Sequence, residues 1–169
     1  MAIDLLKEKI FASDVNTIKQ SDMWRLTADK TSDGDITSNL ERVDDASFGL
    51  IGTGMTESSG VFSFPETGIY KVDFIASGVR TVTGTDNIEF HIFSTIDNSN
   101  YTLLSYGVLG AYGGQLYDQG IISTIIDVTN TSNVKVKFRT ASHADTNTVI
   151  NGSSSSSETA FSFIRLGDT

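Results

Sequence analysis

The two histidines are the side chains that could act as a general base in a serine-type catalytic triad. His91 follows Glu89 in an alternating segment, and His143 lies near Ser142 and Asp145. Neither has the sharp strand-to-helix turn that exposes a serine nucleophile. The chain has no cysteine, which excludes thiolate nucleophiles, thiolate metal sites and disulfides. We therefore interpret the histidines as strand-face and loop residues and expect no enzyme activity.

Acidic and oxygen-rich segments are the other source of chemistry. Asp44 and Asp45 could be proposed as a glycosidase pair, but neighbours on a strand point to opposite faces. Gly52-Thr53-Gly54 lacks the lysine and the following helix of a phosphate-binding loop. Calcium is the one inorganic ligand to weigh, at two turns without calcium-loop spacing. These turns contain Asp29, Asp33 and Asp35, and Asp97, Asn98 and Asn100. Such turns are mostly only turns, so no cofactor is expected.

The charge of the 169-residue chain limits the classes of partner that it can bind. The net charge is −9, which argues against nucleic acid and suits a crowded assembly that must stay soluble. Lys135, Lys137 and Arg139 form the densest basic run, and their alternation with apolar residues indicates the wet face of a half-buried strand. No apolar run approaches the roughly 18 residues of a membrane span. We expect neither a membrane partner nor a secretory signal.

Residues 1–22 differ in pattern from the rest of the chain. Ile3, Leu6 and Ile10 recur at helical spacing, and Phe11 extends the apolar stripe. A helix of about 9 residues is marginal alone because nucleation is costly. We therefore expect an N-terminal arm, a short helix or an extended anchor, whose apolar stripe binds a partner.

Residues 23–169 consist of strands and turns and are expected to form one all-β domain. About eight to ten strands recur at even spacing, which is typical of a β-sandwich or jelly roll. The expected strands are 24–28, 40–43, 48–51, 61–64, 69–79, 88–92, 101–109, 120–128, 134–141 and 159–166. Residues 31–35 are expected to form a polar turn, and the serine-rich segment 142–158 a flexible loop.

The centre of the chain holds its only proline. Val61 to Phe64 reads as a strand, and Tyr70, Val72, Phe74 and Ala76 place one apolar face on the strand that follows. A strand, a Pro-x-x-Gly corner at 65–68 and a longer strand predict a hairpin.

This central segment carries a family resemblance. GVFSFPETGIY, residues 60–70, resembles the second-strand signature of tumour-necrosis-factor-like and complement-globular-head jelly rolls. Residues 161–166, FSFIRL, resemble the final strand of that family, and Trp24-Arg25-Leu26 lies where its first strand would be. The resemblance covers about residues 23–167. Without a collagen-like stem, the acidic, cysteine-free sequence is similar to versions found in bacteriophage virions, particularly marine ones.

The resemblance implies a homotrimer with an N-terminal anchor. The implied function is a virion structural protein, a capsid decoration or head-fibre protein made in the host cytoplasm. The arm would bind the major capsid protein or another virion protein through Ile3, Leu6, Ile10 and Phe11. Aromatic side chains are favoured at interfaces. The interface candidates are Tyr70, Tyr101, Tyr106, Tyr112, Tyr117, Phe161 and Phe163.

The residues are also compatible with a second function, the receptor- or glycan-binding head of a tail fibre. Tyr106, Tyr112 and Tyr117 stand among glycines and could offer stacking platforms for a host surface glycan. A tail fibre usually needs a long shaft, and none is encoded in this chain. The capsid role is therefore preferred.

Overall fold

The computed structural model describes residues 18–80, 85–112, 116–143 and 148–169, and these form two antiparallel β-sheets without a helix. No helix among them could cross a membrane. The strands are β1 Ser21–Leu26, β2 Gly34–Asp35, β3 Leu40–Arg42, β4 Thr56–Ser58, β5 Val61–Ser63, β6 Gly68–Arg80, β7 Thr85–Thr95, β8 Thr102–Tyr112, β9 Leu116–Val128, β10 Lys135–Ala141, β11 Thr148–Ile150 and β12 Ala160–Gly167.

The two sheets form a sandwich. Sheet A has the order β3-β1-β12-β6-β9, and β11 pairs with the far end of β6. Sheet B has the order β4-β5-β10-β7-β8, and β2 pairs with β10. β9 follows β6 from Gly68↔Val128 to Arg80↔Leu116. β8 and β9 are therefore edge strands of different sheets, and they lie next to each other at one side of the sandwich.

The core between the sheets is built mainly from phenylalanine. On β6 the inward residues are those expected from the alternation, Tyr70 to Ala76 at every second position. Phe138 of sheet B packs on Phe161 of sheet A with 4.4 Å between ring centroids. Phe62 packs on Phe163 at 5.1 Å. Because rings from both sheets interlock, the phenylalanine-rich composition is explained by packing within one protomer.

The prediction of a hairpin around Pro65 is wrong. β5 pairs with β4 and β10 in sheet B, whereas β6 pairs with β9, β11 and β12 in sheet A. The corner between them carries the chain from one sheet to the other. It needs Gly68, whose φ of +145° is in a region that other residues rarely adopt. Arg165 Nε also donates to the Thr67 carbonyl at 2.9 Å, so the last strand holds the corner in place.

Three of the predicted interface residues belong to this core. Tyr70, Phe161 and Phe163 are at most 1% exposed within a single protomer. Their rings have no surface left for another protomer, and the prediction is wrong for them. The Tyr70 hydroxyl donates to the Glu66 carbonyl at 3.1 Å, and burial raises the pKa of Tyr70 to about 12.

Several boundaries also differ from the sequence prediction. β1 begins at Ser21, so the domain starts before residue 23. Residues 48–51 do not form a strand, although Ile51 makes a single bridge to Ser21. The expected loop 142–158 contains β11, and the expected turn 31–35 contains β2. The arm residues Ile3, Leu6, Ile10 and Phe11 lie outside the described residues, as does the side chain of Tyr112.

Candidate interaction surface

The histidines do not form a hydrolytic site. His91 Nε2 lies 3.0 Å from Glu89 Oε2, and Ser142 Oγ donates to the other oxygen of Glu89 at 3.1 Å. The carboxylate therefore stands between the hydroxyl and the imidazole, an order in which the imidazole cannot take the serine proton. His143 Nδ1 lies 3.1 Å from Asp33 Oδ1. Both rings serve to connect strands and loops.

The paired acids have a structural role. The Arg25 side chain is 2% exposed, and its guanidinium lies 3.1 Å from Asp45 and 3.1 Å from Glu41, with Asp44 nearer still. A buried guanidinium left without its carboxylates would be strongly destabilising. Asp44 and Asp45 therefore act as counter-ions for Arg25.

The two oxygen-rich turns are occupied by internal hydrogen bonds. Asp29 accepts from the Gly152 amide, Asp33 from the His143 amide, and Asp35 pairs with Lys137 and Arg139. Asp97 accepts from the side chains of Thr95 and Asn100 and from the amides of Ser99 and Asn100, which holds its pKa well below the ordinary value. Within the described ranges, no group of three or more acidic or histidine side chains could hold a metal ion.

The basic run is the wet face of a strand, as its alternation predicts. Lys137 Nζ and Arg139 Nε lie 2.8 and 2.7 Å from Asp35. Lys137 stacks over Tyr101 at 4.2 Å, and Arg139 over Phe93 at 5.2 Å. Tyr101, another predicted interface residue, is therefore half-buried under a lysine of its own chain. Lys137 and Arg139 thus share one carboxylate and stack on aromatic rings of their own chain, which is the arrangement of a strand's outer face and gives no sign of a phosphate groove.

The largest unexplained feature is an apolar surface along the two adjacent edge strands. β8 and β9 carry seven of the twelve exposed large hydrophobic residues of the described chain. We call them the edge patch; its members are Leu103, Leu104, Tyr106, Val108, Tyr117, Ile121 and Ile125. Ile121, Ile125 and Tyr117 are 59%, 64% and 72% exposed. A concentration of apolar side chains on unpaired edges marks an interaction site.

Glycines bring the two edge strands close together. A Cβ at Gly107 of β8 would collide with Phe90 and with Ile122 of β9, and a Cβ at Gly120 of β9 would crowd Phe90 and Leu109. β8 and β9 therefore close one side of the sandwich, where the exposed residues of β9 lie on the outer face of sheet A and Tyr106 and Val108 of β8 lie on the outer face of sheet B. The sequence pattern alone could not show this, because the alternation on each strand does not tell which edges meet.

The outer face of sheet A adjoins the edge patch. Its β6 and β12 residues include half-buried Ile69, Ile75 and Ile164, and Leu166, which is 51% exposed. At its centre Asp73 accepts hydrogen bonds from Ser123 Oγ at 2.5 Å and Ser162 Oγ at 3.0 Å.

Asp73 also forms an ion pair with Lys71 at 2.7 Å. Burial would raise the pKa of Asp73, but its hydrogen bonds and the lysine charge outweigh burial and hold the pKa below 3.8. The ionised carboxylate thus connects β6, β9 and β12.

We expect Asp73→Asn to weaken the fold at neutral pH by about 1.5 kcal/mol, because charge-assisted hydrogen bonds are lost. A carboxylate whose folded pKa is depressed stabilises above its unfolded pKa, near 3.8, and this contribution disappears as the pH falls through the folded value. Urea midpoints from pH 6 to pH 2 should therefore converge for the native chain and Asp73→Asn. Asp127→Asn, an exposed acid on β9, is the control. A gap between the native chain and Asp73→Asn that persists at pH 2 would show that charge is not the cause.

The structure thus keeps two tyrosines of the predicted interface on an exposed surface. Tyr106 of β8 is 62% exposed and lies edge-on to His91, with 6.1 Å between the rings. Tyr117 projects from the outer face of sheet A. Sequence reasoning missed Ile121 and Ile125, because they read there as ordinary members of an apolar strand. The signal that could have identified them is the pair Ile121-Ile122 followed by the pair Ile125-Ile126, which places isoleucines on both faces of the strand.

The sequence matches no protein-family model and no curated protein. Among solved structures, the chain is similar to the crystal structure of murine APRIL, with a TM-score of 0.60 over 87% of this chain and 98% of that chain. The two sequences are 9% identical, so the similarity concerns the fold. APRIL belongs to the tumour-necrosis-factor family. The described chain therefore has a tumour-necrosis-factor-like jelly-roll fold.

Proposed function

We propose that the chain forms a homotrimer through the edge patch, and that this trimer is a structural protein of a bacteriophage virion. The observation that supports the homotrimer is the edge patch. A monomer that leaves seven large apolar side chains on two sheet edges is prone to associate through them. Proteins with this fold are typically homotrimers.

The geometry favours a ring over a symmetric dimer. The edge patch lies at the β8 and β9 edges of the sandwich, and the outer face of sheet A, on which Ile121 and Ile125 lie, extends from there across β6 and β12. When two different surfaces of the same protomer bind each other, the contact is heterologous, and a rotation of one third of a turn closes it after three copies. Ile121 and Ile125 of one protomer would then cover the face around Ile164 of the next.

The virion role rests on the resemblance to phage proteins and on the site chemistry. In the described chain the histidines, paired acids and oxygen-rich turns all have structural partners, as shown above, and we assign no catalytic role to them. The two ends of the described chain, Ile18 and Thr169, lie at one end of the sandwich, because β1 begins and β12 ends there. An arm that starts from this end can hold the head on a capsid or fibre, and three arms per trimer bind with avidity.

The test uses virions that lack the protein, to which purified chain is added back. We expect Leu6→Asp with Ile10→Asp to leave a trimer that no longer sediments with the particles, since a charged stripe cannot enter an apolar site. Ser155→Asp, which adds a charge at an exposed residue of the loop beside the other end of β1, is the control. Full sedimentation of the arm variant would contradict anchoring by the arm.

A receptor- or glycan-binding head is the alternative, and Tyr106 separates the two functions. In the proposed trimer Tyr106 is part of a protein interface, so Tyr106→Ala should weaken association. If the ring is a stacking platform for a sugar, the same variant should keep its mass and lose binding on a glycan array.

A further inference from the structure

The exposed apolar residues outside the edge patch also follow a pattern. In the described chain they are Ile18, Leu50, Ile51, Leu166 and Ile96. All five lie at the end of the sandwich where β1 begins and β12 ends, which we call the base. Single exposed hydrophobic residues are normal on a protein surface. A group of them at one end of the molecule, in contrast, indicates an interaction site.

Backbone pairing brings four of these residues together around the start of β1. Ser21 and Ile51 exchange two hydrogen bonds of 3.0 Å on one side of the strand. On the other side the Arg165 amide donates to the Gln20 carbonyl at 3.0 Å, so Leu166 lies one residue further towards the N-terminus of β1. Ile18 precedes Ser21 by three residues on the same stretch of chain. We call Ile18, Leu50, Ile51 and Leu166 the base cluster, and their exposed fractions are 41% to 52%.

We propose that the base cluster is the docking site of residues 1–17 of the same chain. The arm joins the cluster covalently at Ile18, so it is always held next to the cluster. Its stripe of Ile3, Leu6, Ile10 and Phe11 supplies the apolar surface that the cluster lacks.

The length of the arm agrees with this arrangement. Residues 12–17 can span up to about 20 Å when extended. If residues 3–11 form the helix that their spacing predicts, that helix is about 13 Å long, which is enough to cover the cluster. A helix this short is marginal in water and gains its stability from packing an apolar face.

Docking of the arm on the base is independent of the virion role. In the free protein the arm shields both its own stripe and the base until a partner binds there. The test of arm docking needs no virion particles. The docking test can therefore fail while the anchoring test succeeds, and the anchoring test can fail while the docking test succeeds.

The absence of native cysteine allows a direct test by disulfide trapping. The full-length chain carries Leu6→Cys and Ile51→Cys and is oxidised mildly at low protein concentration. The matched control adds Ile3→Asp and Ile10→Asp, which keeps the tether and removes the apolar stripe. We expect the intrachain disulfide to form at least about tenfold faster without the aspartates, because docking raises the effective concentration of the pair.

Equal rates in the two chains would overturn the proposal, because a merely tethered arm would explain them. A disulfide between protomers instead of within one chain would also overturn it. Hydrogen exchange provides a second measurement without cysteines: the amides of residues 49–54 should exchange faster after Ile3→Asp with Ile10→Asp. Unchanged exchange there would count against docking.

Discussion

Replacing Ile121 and Ile125 together by aspartate is expected to convert the proposed trimer to a folded monomer. These side chains are 59% and 64% exposed in one protomer, so the substitution disturbs no core packing. Burying an isoleucine contributes about 1.5–3 kcal/mol, and two positions per interface make about 3–6 kcal/mol. The dissociation constant should therefore rise by about two to four orders of magnitude. Analytical ultracentrifugation should show 18.2 kDa in place of three times that mass.

Ile96→Asp is the control for this experiment. Ile96 is 80% exposed and lies outside the edge patch, so the same chemical change should leave the mass unaltered. Circular dichroism should show the same β-sheet signal for both variants. The interface is misplaced if the double variant keeps the mass of the native chain, or if the native chain is itself monomeric at micromolar concentration.

Replacing Asp22 by alanine is expected to cause the largest loss of fold stability. The Asp22 side chain is 2% exposed and lies 3.0 Å from Arg42 Nε. It also accepts from the Met55 amide at 2.7 Å and from Trp24 Nε1 at 3.0 Å. Removing the carboxylate leaves the Met55 amide and Trp24 Nε1 without this acceptor, and it leaves the half-buried Arg42 guanidinium with the Met55 carbonyl but without its counter-ion. Breaking such a pair costs about 3–5 kcal/mol.

Chemical denaturation at neutral pH measures this effect. Asp22→Asn should fall between the native chain and Asp22→Ala, because the amide keeps one oxygen acceptor and loses the charge. Asp118→Ala, an exposed acid at the start of β9, is the surface control and should cost much less. If Asp22→Ala costs no more than Asp118→Ala, the carboxylate does not hold β1 to the segment around Met55.

The burial of Asp22 could not be predicted from the sequence. In the sequence it stands at the boundary between arm and domain, in front of Trp24, and nothing in its neighbours indicates burial. Its partners Arg42 and Met55 lie 20 and 33 residues away along the chain. A buried polar network joins residues that are close in space but far apart in the sequence. Patterns among neighbouring residues therefore do not reveal it.

The Pro65 corner shows the same limit for topology. Alternation predicted the strands on both sides of the proline and their inward faces. Those local features also fit a hairpin, and the choice between a hairpin and a crossover depends on which strands are available as partners. β10 and β12, which pair with β5 and β6, lie far along the chain.

The all-β class and the inward faces of the long strands could be predicted from the sequence. These follow from a period of two residues and from the chemistry of single side chains, which are local properties. The tertiary structure alone decided which aromatic residues are core and which are surface. Tyr70 and Tyr117 are both tyrosines on long strands of sheet A, yet one is 1% and the other 72% exposed. Their difference arises because the second sheet covers only one face of sheet A. Burial depends on that second layer, which the chain supplies from distant segments.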